Sequence, residues 1–403
     1  MPARYIDFHV LQTIPASLLN RGEDNEPKTM LMGGTVRAMV SSQSWKRSLR
    51  LDLENELDEH AARTRMLPLR VADALRASGW PEDLATFAGA QIARSASREG
   101  LKTEPRQKGI TSAMLYLPRE VLDELVSLCE KHRQALEETA AQLAAEAAQA
   151  KTENGKKTKK KPPAVPAVLP TREVASLITR RTATINLFGR MLAEIPGAHV
   201  DGAVQIAPAF TTHKSDRQPD FFTAVEDWGD PNDSGSAHLQ TAFFTTGVLY
   251  RYATVNLTEL THNLGGDHEQ ARHLLGLFAD SFLLSLPQAK KTSTAPHTVP
   301  YLAHYAVRDR RPVSYAAAFE QPVKATRDGG YTQPALTALA QHAGALNRLI
   351  GTRRLIAHGH TIDTSIHPKP IEHLGTHHTS FEDLTDALTA AAAQPSATTP
   401  VTA

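Results

Sequence analysis

Thr35-Val36-Arg37-Ala38-Met39-Val40-Ser41-Ser42-Gln43-Ser44-Trp45-Lys46-Arg47-Ser48-Leu49-Arg50 changes its secondary-structure signal part-way along. From Thr35 to Val40 the residues alternate, with Val36, Ala38 and Val40 on one face, which predicts a strand. Ser41-Ser42 then offers an N-cap, and a helix is expected from about Gln43 towards Arg65. Towards the N-terminus, Gly33-Gly34 reads as a turn and polar Ser17–Lys28 as a loop. Tyr5–Ile14 alternates again, Ile6, Phe8 and Val10 against Tyr5, Asp7 and His9, and predicts a half-buried strand. Towards the C-terminus, Pro118–Ala150 predicts one long helix, with Val121, Leu125, Leu128, Leu136 and Leu143 on its apolar stripe. Val174, Leu177, Ile178, Ile185, Phe188 and Leu192 mark a second. The lysine- and proline-rich run Lys151–Pro163 between them is expected to be a disordered loop. Val200–His238 is irregular, Phe243–Leu257 predicts a strand and His268–Leu286 a helix. Gln394–Ala403 reads as a disordered polar tail. This order is that of an α+β protein with insertions.

Composition narrows the function without choosing it. The 403 residues are 41% hydrophobic, enough for a large core. With 44 basic and 43 acidic residues the net charge is +1, so nucleic-acid affinity has to come from local clustering. One cysteine, Cys129, excludes an internal disulfide and an all-cysteine zinc site. It lies beside Leu125 and Leu128 and reads as a small buried residue. No signal pattern or membrane span is visible, and a cytoplasmic location is expected.

Chemistry concentrates at the strand-to-helix corner. From Pro27 to Arg50 there are five basic residues, Lys28, Arg37, Lys46, Arg47 and Arg50, and no acidic ones. A helix N-terminus carries unsatisfied N–H groups and a partial positive charge, so it suits phosphate. Ser41, Ser42, Gln43 and the basic side chains would converge on one anion. An ordinary N-cap followed by a solvated basic face explains the same residues.

Rival sites are weaker. His358, His360, His367, His373, His377 and His378 suggest metal. Without an HExxH or CxxC pattern they read as solvated loop histidines, and the alternative they leave open is a metal-dependent nuclease. Asp227, Asp230 and Asp233 before Gly235 resemble a calcium loop, but its closing glutamate is replaced by Thr241. Tyr250, Arg251 and Tyr252 do not fit the pattern of ordinary RNA-recognition motifs, and a packed strand with one exposed arginine is expected. Trp45 reads as core. No phosphate loop, nucleophile elbow or dinucleotide fingerprint is present.

Ordered short stretches add a family likeness. They are Phe8-His9-Val10-Leu11-Gln12, Leu19-Asn20-Arg21, Gly33-Gly34, Val40–Arg47, Gly189-Arg190-Met191, Val200-Asp201-Gly202-Ala203, Thr211-Thr212-His213, Phe222–Asp227, Gly235–Leu239, Gly247–Ala253, Asn263–Gly266, Phe319-Glu320 and Lys324. Together they resemble the backbone subunit of the type I-E CRISPR surveillance complex Cascade, the CasC family. The resemblance implies an RNA-recognition-motif-like (ferredoxin-like) palm, an inserted helical fingers domain and a protruding thumb loop. On that pattern the palm takes residues 1–62 and 241–345, the fingers 63–195 (with a flexible 151–170 loop) and the thumb 196–240. A C-terminal segment follows, 346–403. The implied function is non-catalytic and needs no cofactor or metal: copies polymerise along a guide RNA (crRNA). Partners would be crRNA, target DNA through the guide, further copies, and the large, small, guide-end-capping and repeat-processing subunits, with no membrane. Pairing would read sequence while protein reads backbone. Carried over by position, Lys28, Ser41, Gln43, Lys46, Arg47 and Arg50 match the guide groove. Arg190 and Met191 match a fingers helix beside it, Phe210 and Thr212 the thumb segment with its displacing wedge, and Lys324 a basic palm position. Thr35-Val36 departs from the family, which often has basic residues after the Gly-Gly turn.

Overall fold

The computed structural model describes residues 4–104, 109–153, 165–225, 228, 236–287 and 289–394. Two compact units divide the chain, one formed by Met1–Leu53 with Ala203–Ala403 and the other by Glu54–Gly202. The chain runs through β1 (Tyr5–Ser17), β2 (Thr29–Met32), β3 (Thr35–Val40), α1 (Ser42–Glu56), β4 (Ala61–Thr64), α2 (Leu67–Ala77), α3 (Glu82–Arg94), β5 (Leu115–Pro118), α4 (Val121–Lys131), α5 (Arg133–Glu153), α6 (Thr171–Thr179) and α7 (Ala183–Phe188). It continues with β6 (Val204–Ile206), β7 (Ala209–Thr211), β8 (Gln218–Val225), β9 (Ser236–Asn256), α8 (Leu257–Asn263), α9 (His268–Leu284), α10 (Lys291–Thr294), β10 (Leu302–Arg308), α11 (Thr332–Ile350), β11 (Leu355–Ile362), β12 (Thr376–His377) and α12 (Phe381–Ala393).

The first unit is built on one sheet in the order β12-β11-β10-β1-β9-β7-β3-β2, with β6 and β8 also paired to β9. Both neighbours of β1 run antiparallel to it. The path β9–α8–α9–β10 therefore leaves and returns on either side of β1, a split β-α-β unit. The alternation read in β1 is real, but both of its faces are covered. Phe8 packs on Phe278 and Phe282 of α9, with ring centroids 5.8 Å apart. Asp7 and His9, expected in solvent, are fully buried on the opposite face. There Asp7 accepts from Arg308, Tyr252 and the Val313 amide. The His9 ring stacks on Tyr315 at 3.9 Å. A polar row can be buried when its members satisfy one another.

Gly33-Gly34 forms the two-residue β2–β3 hairpin with φ of 57° and 70°, the left-handed backbone such a turn requires. The helix expected to run towards Arg65 ends at Glu56, and β4 follows. Val200–His238, read as irregular, contains β6, β7 and β8. In β8 and the first half of β9, Gln218–Val225 and Ser236–Phe244 pair as a two-stranded ribbon.

The second unit is helical around the antiparallel pair β4 and β5, which α2 and α3 separate in the chain. Its core joins Val71, Leu75, Ala85, Ile92, Leu125 and Ile178. The expected long helix is divided at His132 into α4 and α5, and the second helix at Arg180–Thr182 into α6 and α7. Thr182 caps α7 by accepting from the Ile185 amide, so a polar cap interrupts what periodicity alone joins. Cys129 is buried among these helices, and burial pushes its thiol up to about 12. No helix among the described residues is long and apolar enough to cross a membrane.

Candidate nucleic-acid interface

The corner between β3 and α1 is assembled by backbone hydrogen bonds. Ser41 occupies the N-cap, its carbonyl accepting from the Ser44 and Trp45 amides at 3.0 and 3.2 Å. Its hydroxyl lies 3.4 Å from the Ser44 amide. Asn20 fixes this turn from the preceding loop. Its side-chain oxygen accepts from the Ser41 amide at 2.8 Å, and its carbonyl accepts from the Lys28 amide at 3.0 Å. The Lys28 carbonyl in turn accepts from Met39 at 2.8 Å. One asparagine thus brings Lys28 beside Ser41, although the β2–β3 hairpin separates them in the chain.

On α1 itself, Trp45, Leu49 and Leu53 recur every four residues and form the buried face. Gln43 and Arg47 are exposed on another face, with Lys46 half-exposed between the two. The first turn holds no acidic residue. No carboxylate of the turn's own residues therefore offsets its amide groups and partial positive charge. Lys28, Ser41, Gln43, Lys46 and Arg47 lie along this one edge. Lys324 is exposed in the segment after Phe319, which the Val323 amide ties to the Thr212 carbonyl at 3.0 Å.

The other candidate residues occupy different surroundings. Arg50 is buried on α1. Phe210, only 5% exposed, packs edge-on against Tyr250 and Phe319 in the core. Thr212 is fully buried. In the second unit, Arg190 follows α7 rather than lying on a helix. It donates to the carbonyls of Tyr116, Ile178, Thr179, Arg180 and Ala198. Burial first, then nearby Arg181, lowers its guanidinium to about 10, still charged at neutral pH. It is a structural tie that holds the next residue, Met191, out in solvent at 85% exposure.

Two arginines that the sequence leaves looking like surface charge are internal. Arg37 donates to the carbonyls of Thr211, Phe319 and Glu320. Arg251, expected to be exposed, is 1% exposed, because its position on β9 faces α1 and α9 rather than solvent. Tyr250 and Tyr252 also face inward, with burial pushing both phenols up.

Exposed aromatic surface lies instead on the β8–β9 ribbon. Its register places Pro219, Phe221, Leu239 and Phe243 on one face, and Phe221 and Leu239 are well exposed. Phe222 is on the opposite face, 6.0 Å from the Lys290 amine. Asp227, Asp230, Asp233, residues 154–163 of the lysine- and proline-rich run and residues 395–403 of the polar tail lie outside the described residues. At the ribbon's root, the Val248 amide donates to His213 Nε2 at 3.1 Å, so Nδ1 carries the proton and donates to the Lys214 carbonyl. Gly247 is required here, since a Cβ would sit 2.5 Å from that imidazole.

The histidine-rich segment is only in part the loop expected, with His367, His373 and His378 outside the strands. His358 and His360 lie on β11 and His377 on β12. His360 is fully buried, with Nε2 accepting from Ile371 and Nδ1 facing the Leu374 carbonyl. Burial lowers it to about 4. Among the described residues no group of three or more histidine, cysteine or acidic side chains is arranged to hold a metal ion.

The model of the family described as CT1975-like protein matches residues 6–387. A chain of a solved structure described as "CRISPR RNA-guided surveillance complex, pre-nicking" is 38% identical with a TM-score of 0.83. That match covers 96% of this chain and 100% of the other. A second, described as "CRISPR RNA-guided surveillance complex", is 33% identical with a TM-score of 0.74, covering 96% and 99%. No curated protein sequence matches.

Proposed function

The chain belongs to the CT1975-like family, and from that premise we propose that it is a non-catalytic, cytoplasmic guide-RNA-binding subunit that polymerises as the backbone of a type I-E CRISPR surveillance complex. The observation that carries this reading is the end-to-end likeness, at 38% identity, to a chain of an RNA-guided surveillance complex. The chemistry of the α1 corner fits it. A helix N-terminus without acidic residues, flanked by Lys28, Lys46 and Arg47, binds phosphates without regard to base. We read the first unit as the palm, since its split β-α-β unit is the core of an RNA-recognition-motif-like fold. Its usual base-stacking face is covered here by Tyr315, Phe319 and α11. The ribbon of β8 and β9 is read as the thumb and the second unit as the fingers. Exposed Phe221 and Phe222 are better placed than buried Phe210 to replace stacking lost by a displaced base. The nuclease alternative draws no support from the histidines, which form no metal-holding group among the described residues and of which His358, His360 and His377 belong to β11 and β12.

The test is a binding titration with several unrelated single-stranded RNAs of one length, and with single-stranded DNA as competitor. Affinities within a few-fold of one another across RNA sequences are expected. Binding of one sequence alone, or of none, would reject backbone readout.

A further inference from the structure

Arg251 has surroundings that a buried cation rarely occupies. Its guanidinium carbon sits 4.1 Å from the centroid of the Trp45 ring and 4.7 Å from that of Phe282. One nitrogen donates to Gln12 Oε1 and another to the Phe282 carbonyl. Among the described residues no carboxylate pairs with it, and burial lowers it to about 9. It therefore remains charged at neutral pH, in a place where an apolar side chain would avoid the desolvation penalty. What the guanidinium offers instead is a flat cation that stacks on aromatic rings while its edges hold hydrogen bonds.

Those contacts join three elements. Gln12 belongs to β1, Phe282 to α9, and Trp45 to the first turn of α1. Gln12 is itself held by the Thr298 carbonyl at 2.7 Å. Trp45 follows Gln43 by two residues and precedes Lys46 directly, so whatever fixes its indole fixes the roll of the turn that carries both. α1 has further ties on the same side, from Ser48 to the Leu286 carbonyl and from Ser285 to Asp52. Both lie beyond the first turn. Among the described contacts on this side, the Arg251–Trp45 stack is the one that acts on the turn itself.

We infer that Arg251 is a positioning residue for phosphate binding: clamped between Trp45 and Phe282, it sets the orientation in which the first turn of α1 presents its amides, Gln43 and Lys46. The inference rests on the proposed RNA-binding role. A guanidinium that touches no phosphate should change affinity without changing how many phosphate contacts are made.

The experiment is a double-mutant cycle in the full chain with Arg251→Met and Trp45→Leu, read as single-stranded RNA affinity over a salt series, with folding checked by thermal melting. Each single variant is expected to lose about tenfold in affinity. The slope of log affinity against log salt should stay at the wild-type value. The double variant should bind no more weakly than the weaker single one, because both remove the same clamp. Folded variants that bind like wild type, additive losses in the double variant, or a shallower salt slope for Arg251→Met would each overturn the inference. If Arg251→Met does not fold, Arg251→Lys completes the same cycle, since lysine keeps the charge but not the flat stack. Absence of RNA binding by the wild type would instead remove the underlying functional reading.

Discussion

Replacing Lys46 and Arg47 together by alanine tests the α1 corner through two separate numbers. Both side chains reach solvent from the first two turns of a helix whose buried face is made by Trp45, Leu49 and Leu53. Alanine favours helix and leaves that face intact, so stability should change by no more than about 0.5 kcal/mol. A hydrogen bond to a charged group contributes about 1.5–3 kcal/mol, and the low end applies at an exposed surface. The pair therefore accounts for about 3 kcal/mol, a loss of roughly 100-fold in RNA affinity. Each phosphate contact to a single strand contributes about 0.7 to the salt slope, so the slope should become shallower by about 1.4. Between 50 and 200 mM salt the variant would then lose about sevenfold less affinity than wild type. Fluorescence anisotropy at four or five salt concentrations measures both quantities. An unchanged slope with unchanged affinity in the folded variant would refute the phosphate role of this corner.

Other expectations follow from particular contacts. Phe210→Ala should cost about 3–5 kcal/mol in stability because it empties core, measured by urea unfolding. Phe221→Ala and Phe222→Ala should leave stability nearly unchanged yet weaken RNA binding by about 1–3 kcal/mol each; unaffected binding would remove the ribbon's stacking role. Gly33→Ala should lower the urea midpoint by the equivalent of about 2–4 kcal/mol, since its φ is 57° and a Cβ would lie 1.9 Å from the Glu320 carbonyl oxygen. Stability should also fall on acidification from pH 7 to 5.5. Burial lowers His304 to about 3, so the unfolded chain binds a proton below pH 6.5 that the folded chain refuses. That group alone accounts for about 1.3 kcal/mol over this interval. His360 acts in the same direction, while Asp7, raised to about 6 by burial, binds its proton more tightly when folded and offsets part of the loss. Constant or rising stability would contradict this balance.

Local chemistry was legible wherever one residue sets one backbone conformation. Gly33-Gly34 specified its hairpin, Ser41 its N-cap, and the apolar positions of β1 and α1 their buried faces. The exposed part of the α1 corner could be read because its residues are contiguous. Polarity misled where tertiary structure satisfies it. Asp7, His9, Arg37, Arg190, Arg251 and His360 look like surface residues in sequence, yet each is buried with partners distant in the chain. An alternating strand does not reveal that its polar side will be roofed by Tyr315, Phe319 and α11. The breaks at His132 and Arg180–Thr182 were hidden because the apolar stripe continues across them. Asn20, which brings Lys28 to Ser41, gave no signal beyond its place in a short family-like stretch.

Polymerisation along a guide is the claim on which the account stands, and mass photometry of the full chain with RNAs of increasing length tests it most directly. The account predicts complexes whose mass rises in whole-subunit steps as the RNA lengthens, for any sequence. A mass that stays at one protein copy whatever the RNA length would contradict it.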